Sequence, residues 1–286
     1  MKLGGIEGGG TKFICAVGDE FGNIEKELVI PTTTPMDTLN KVISFYNENK
    51  VEKIGIGCFG PIDINEKSND YGLILDTPKK EWVNFNIVKY LNKHLNIPIV
   101  INTDVNVAAL AEIKVGNSKN IENILYITVG TGIGVGIILN NNFISGVNHP
   151  EMGHIALRKH PKDKYEGRCP FHKDCFEGLA SGLTIEDRYK VKGELLSDNE
   201  EMLDIIGYYI GQAIAIYTFI FSPQRIIIGG GVAINEKLLP IVKKYFIEFN
   251  KNYINNDYIK DINQYIQITS LNNRAGLIGS ILINNL

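Results

Sequence analysis

The sequence predicts an α/β protein built as two lobes that share a cleft, and three observations carry that prediction. At 286 residues the chain sits where single hydrophobic cores stop growing. Apolar strands alternate with amphipathic helices along its whole length. The opening pattern of strand, glycine-rich turn and strand starts again after Gly116-Asn117-Ser118, as a duplicated fold would show. With 44% hydrophobic and 21% charged residues, each lobe has enough apolar side chains to bury a core.

Residues 3–17 read as a strand, a glycine turn and the strand "FICAVG", followed by a polar turn at Asp19–Asn23 and the extended stretch "IEKELVI". Leu39, Val42, Ile43 and Tyr46 fall at i, i+3, i+4 and i+7, one face of a helix, ahead of the strand "KIGIGCFG". A second cycle follows: a helix through Ile87, Leu91 and Leu95, the strand "IPIVIN" and the helix "NVAALAEIK" at 106–114. These make a first lobe of residues 1–115. The second lobe, 116–286, opens with "ILYITVGTGIGVGIIL" and a hairpin loop at Asn140-Asn141-Asn142. Helices are expected at 183–196, 200–221 and 235–250, with the strands "RIIIGGG" and "IQITSL" among them. A last apolar helix, 275–286, is free to pack back on the first lobe.

Composition excludes several roles. A net charge of −3 without a basic stripe argues against nucleic acid or a membrane surface as the main partner. "MKLGGIEGGGTKF" breaks into glycines before any signal-like apolar run, and no 18-residue apolar span is expected later, which points to the cytoplasm. Four cysteines are too few for a disulfide framework.

Three glycine-rich turns follow or split apolar strands: "GGGTK" at 8–12, "GTGIGVG" at 130–136 and "GGGV" at 229–232. Any one of them suits a plain tight turn; three together suit backbone amides brought up to an anion. No Gly-Lys pair occurs, which removes the P-loop. The dinucleotide fingerprint fails as well, because Phe13 and Val135 stand where its third glycine belongs.

Taken in order, "IEGGGTKF", "FGPID", "DVNVAALAE", "VGTGIGVGI", "HPEMGHI", "CPFHKDCFEGLASG" and "IIIGGGV" resemble the motif set of the ROK family of sugar kinases, in the actin-like ATPase superfamily, and most of all its bacterial fructokinase branch. The resemblance implies two actin-like, ribonuclease H-like lobes with a central cleft and a zinc-bound loop at 150–180. It also implies MgATP and a hexose as substrates, and a homodimer. A sugar kinase needs one carboxylate at the reacting hydroxyl, and donors with Mg²⁺ at the phosphates. Asp104, where the strand "IPIVIN" meets the next helix, is the candidate base; a helix N-cap is its plainer role. By resemblance, Gly60, Pro61, Thr103, Glu151, His154 and Glu177 line the sugar, although the carboxylates could equally be exposed loop acids. Gly9, Gly10, Thr11, Lys12, Thr131 and Gly132 line the ATP phosphates, and Gly230 and Gly231 lie near adenosine. Glu7 stands where many members carry Asp, and Thr103 where many carry Asn.

His154, Cys169, His172 and Cys175 supply two thiolates and two imidazoles, a donor set that closes a zinc tetrahedron. His149 and His160 are left as spectators, and the charged middle, 158–168, reads as a solvated span that zinc ties down. Trp82, the single tryptophan, suits a platform for a sugar face or a place in the core. Fructose is the expected sugar, with mannose, glucose and N-acetylmannosamine as alternatives. A zinc-stabilised, non-catalytic sensor is a further one. The family's sugar-responsive repressors carry a helix-turn-helix ahead of the first glycine motif; here a strand already begins near residue 3.

Overall fold

The computed structural model describes residues 1–286, apart from the side chain of Glu194. Two five-stranded mixed sheets organise it. The first uses β1 (Leu3–Gly8), β2 (Lys12–Gly18), β3 (Ile24–Pro31), β4 (Lys53–Cys58) and β5 (Ile99–Thr103), in the order β3-β2-β1-β4-β5. Pairing is antiparallel through the β1–β2–β3 meander and parallel from β1 to β4 to β5. Helices α1 (Pro35–Glu48) and α2 (Ile87–Leu95) make the crossovers. The second sheet repeats the plan with β6 (Ile124–Val129), β7 (Ile133–Leu139), β8 (Asn142–Phe143), β9 (Arg225–Gly229) and β10 (Ile266–Ile268), in the order β10-β9-β6-β7-β8. Around it lie α4 (Phe176–Ala180), α5 (Gly182–Tyr189), α6 (Glu200–Phe221), α7 (Leu238–Asn250), α8 (Asp257–Lys260) and α9 (Ile262–Tyr265).

Two helices join the sheets: α3 (Asp104–Lys114), which leaves β5, and the C-terminal α10 (Ala275–Leu282), which returns to lie on β1 and β4. They press together because Gly279 of α10 has no Cβ to strike the carbonyl of Val107. Gly136 of β7 likewise lets α3 settle on the second sheet at the carbonyl of Val105. Val107, Leu110, Tyr126, Ile227 and Leu282 fill the seam between these helices and that sheet. Each sheet has its own larger apolar cluster besides. Glu112, fully buried on α3, accepts from the hydroxyls of Thr269 at 2.6 Å and Ser270 at 2.9 Å, which pins the far end of α3 beyond β10.

Three expectations need correction, and for Trp82 the structure decides between two alternatives. The helix expected at 183–196 stops at Tyr189, because Lys190 takes a left-handed conformation; a separate 3-10 turn covers Gly193–Leu196. Helix α6 does carry an 18-residue window apolar and long enough to cross a membrane, but 72% of it is buried inside the second lobe, as a core helix is. Trp82 is 1% exposed; its ring stacks on Phe13, its edge meets Phe59 and Phe85, and Nε1 donates to the carbonyl of Thr33 at 2.8 Å, so it is core and no sugar platform. The stretch 158–168 is not simply solvated. The side chain of Asp163 is 3% exposed and pairs with Arg188 of α5 at 2.9 Å, while Tyr209 of α6 donates to the same carboxylate at 2.7 Å.

Candidate active site

Local chemistry places each part. The first glycine turn, between β1 and β2, is closed by the Gly9 amide on the Lys12 carbonyl, and the Thr32 hydroxyl braces it by donating to the Gly9 carbonyl at 2.7 Å. The second, between β6 and β7, is held by the Gly182 amide on the Gly130 carbonyl at 2.7 Å. Glu177 of α4 accepts there from the Ile133 amide at 3.0 Å. The third follows β9, where Gly230 sits at φ +90°, a conformation that suits glycine. A cavity of about 550 Å³ lies between the second and third turns, with Thr131 and Gly231 in its wall. Leu183, Glu186, Ile234 and Asn235 also line it, and sequence reasoning missed them. Leu183 and Ile234 are large apolar residues left partly exposed, a trait that only the folded surface reveals.

Asp104 is the first residue of α3, and Thr103 is the N-cap, its hydroxyl accepting from the Asn106 amide at 3.2 Å. The plainer role considered for Asp104 therefore belongs to its neighbour, and the Asp104 carboxylate is left for other work. Burial pushes that carboxyl up to about 6, against a hydrogen bond from the Val105 amide that favours the charged form. Glu7 rises to about 7, from burial first and then from the charge of Asp104, while Lys12 and Arg274 oppose the rise. Glu151 also reaches about 7, from burial and then from Asp104 and Glu177. Carboxylates from β1, α3, α4 and the loop before the Met152–His154 turn thus feel one another across the space between the sheets. Acids crowded in this way are a frequent mark of a functional site.

Asn106 ties that space together. Its amide nitrogen donates to Asn102 of β5 at 2.8 Å, and its amide oxygen accepts from the Ile137 backbone of β7 at 3.1 Å. His149 also lies here: its Nε2 accepts from the Ile62 amide at 3.2 Å, and its Nδ1 is 3.7 Å from a Glu151 oxygen. It stands outside the metal cluster, as expected, yet it is part of the cleft. His160 is buried against Tyr208 and Tyr245, with its Nε2 3.4 Å from Asp204, away from both sites.

The donor atoms of His154, Cys169, His172 and Cys175 all lie within 4.8 Å of one another. Bonds of 2.0–2.3 Å in a tetrahedron put donors about 3.3–3.8 Å apart. His154 Nδ1 is 3.4 Å from Cys175 Sγ and 3.7 Å from Cys169 Sγ, and His172 Nδ1 is 3.8 Å from Cys169 Sγ, so the set fits zinc. Nδ1 of His154 faces the other donors, and its Nε2 stays free of them. Glu7 offers a hard oxygen donor of the kind Mg²⁺ takes, and a nearby cation would relieve the rise in its carboxyl.

Comparison with known proteins bears on the family and the fold. A fructokinase of Lactococcus lactis subsp. cremoris is 44% identical over 273 residues, covering 95% of this chain and 92% of that protein. A fructokinase of Streptococcus mutans serotype c is 43% identical over 268 residues, covering 92% and 90%. The solved structure of a ROK family glucokinase from Streptomyces griseus, in complex with glucose and AMPPNP, matches with a TM-score of 0.79 at 23% identity over 99% of both chains. The model of the ROK family matches residues 3–285, and with that the chain belongs to the ROK family.

Proposed function

We propose that this protein transfers the γ-phosphoryl group of ATP to the primary 6-hydroxyl of a hexose, with D-fructose preferred and fructose 6-phosphate as product. The observation that carries the reading is Asp104: a carboxylate at the start of α3, between the two sheets, held near 6 and within the field of Glu7 and Glu151. A general base works best when its pKa lies near the working pH. Asp104 takes the proton from the sugar O6 as O6 bonds to the γ-phosphorus in line, and the bond from that phosphorus to the ADP oxygen breaks. Gly9, Gly10, Thr11, Lys12, Thr131 and Gly132 receive the phosphates, and Gly230 and Gly231 the adenosine. Mg²⁺ supplies charge neutralisation on the phosphates when bound.

Gly60, Pro61, Thr103, Glu151, His154 and Glu177 hold the sugar in this reading. Glu177 spends one oxygen on the Ile133 amide and keeps the other, and Thr103 keeps its hydroxyl proton as a donor. Zinc has a structural part, its four positions filled by the cluster. Fructose is favoured by the fructokinase names of relatives at 43–44% identity. The lobes divide as 1–115 and 116–286, with α10 serving the first, and the working unit is a cytoplasmic homodimer. A coupled assay with MgATP across fructose, mannose, glucose and N-acetylmannosamine tests the reading. The highest kcat/KM falls on fructose; a preference for another hexose moves the substrate, and no turnover on any of them overturns the reading.

A further inference from the structure

Building on the hexose-kinase reading, we infer that His149 is a positioning residue that locks the first lobe's Gly60-Pro61 loop to the second lobe's Glu151, and so shapes the sugar pocket. His149 lies in the loop after β8, while Gly60 and Ile62 follow β4, so the contact joins segments attached to different sheets. The His149 side chain is 6% exposed, and Ile62 is fully buried. Among the described residues, His149 Nε2 is the one acceptor that the Ile62 amide has, at 3.2 Å. A buried amide without a partner is costly, so this bond holds the loop in place.

The same bond assigns the ring. An Nε2 that accepts carries no hydrogen, so the proton of the neutral imidazole sits on Nδ1, on the side of Glu151 Oε1 at 3.7 Å. Gly60 makes room for it: a Cβ there would come within 3.0 Å of the imidazole Cε1, 3.1 Å of Nε2 and 3.4 Å of Glu151 Oε1. Gly60, His149 and Glu151 therefore form one packed wall, and a shift in the ring moves both of the groups assigned to sugar. Neither the metal cluster nor the nucleotide cavity includes His149.

Steady-state kinetics of His149→Phe and His149→Gln with fructose and MgATP, run beside the unaltered protein, test this. Phe keeps a ring but has no acceptor, whereas Gln places an oxygen near the former Nε2. The sugar KM should rise about tenfold or more in His149→Phe while the ATP KM stays within about twofold, and His149→Gln should recover most of the loss. A sugar KM unchanged in His149→Phe overturns the assignment, as does a His149→Gln no better than Phe, which would mark a space-filling role. If the unaltered protein turns over no hexose, the kinase reading falls and this one with it. Nitrogen-15 NMR of the histidine rings gives a readout that needs neither activity nor a folded variant: His149 is expected as the Nδ1–H tautomer at neutral pH, and the Nε2–H tautomer overturns the proposal.

Discussion

The two sheets share one strand plan, yet the chain between their third and fourth strands differs. In the first sheet, residues 32–52 supply little more than α1. In the second, residues 144–224 carry His149, Glu151, the four candidate zinc donors, Glu177, and the helices α4, α5 and α6. The glycine turns diverge accordingly. The first is braced by Thr32 of its own lobe's meander, the second by Glu177 and Gly182 from the long crossover. A repeated sheet thus provides two matching backbone platforms, and the unequal crossover provides most of the side chains proposed to choose and hold a substrate. Asp104 belongs to neither insert. It stands on α3, which both sheets grip, and is well placed for a group that must meet the two substrates together.

Changes on each side of this comparison should separate chemistry from architecture. Asp104→Asn should lower kcat about a thousandfold while calorimetry still detects sugar and nucleotide binding. The same variant should be the more stable one at pH 8 in thermal melts. Because the folded-state pKa of Asp104 is raised, its favourable contribution to stability exists at low pH and is lost as pH rises through about 6. Within the long crossover, Asp163→Ala leaves the buried Arg188 guanidinium unpaired, and denaturant titration should show a loss of about 3–5 kcal/mol with the zinc retained. Cys169→Ser should remove the zinc by elemental analysis and raise the sugar KM several-fold, with the ATP KM less affected; equal effects on both would deny the cluster a bias toward the sugar side. The gentlest probe is pH: kcat/KM should fall on the acid side below about pH 6, as Asp104 takes up a proton and ceases to be a base.

Much of this was legible from residue order. Alternating apolar runs and glycine turns located nearly every strand, because pleat and turn geometry are local demands. The Cys169, His172 and Cys175 spacing, with His154 upstream, marked a candidate metal cluster whose donor atoms the fold does bring together, since zinc accepts few donor types in few arrangements. Trp82 was ambiguous, because an aromatic ring suits a sugar face and a core equally well, and only its packing against Phe13, Phe59 and Phe85 decides. Asp163 looked like one acid in a charged run; its partner Arg188 is remote in sequence, and a pair formed across a fold has no local mark.

Residue type and short spacing were enough for the succession of strands, the three glycine turns, the candidate zinc donors and the candidate base. Tertiary structure decided what depends on approach between distant segments. It made Thr103 and not Asp104 the cap of α3, lifted the carboxyls of Asp104, Glu7 and Glu151 by bringing them near one another in the cleft, and carried His149 across to the amide of Ile62. Burial and proximity set how strongly charges and hydrogen bonds act, and both arise only when the two sheets close on the helices between them.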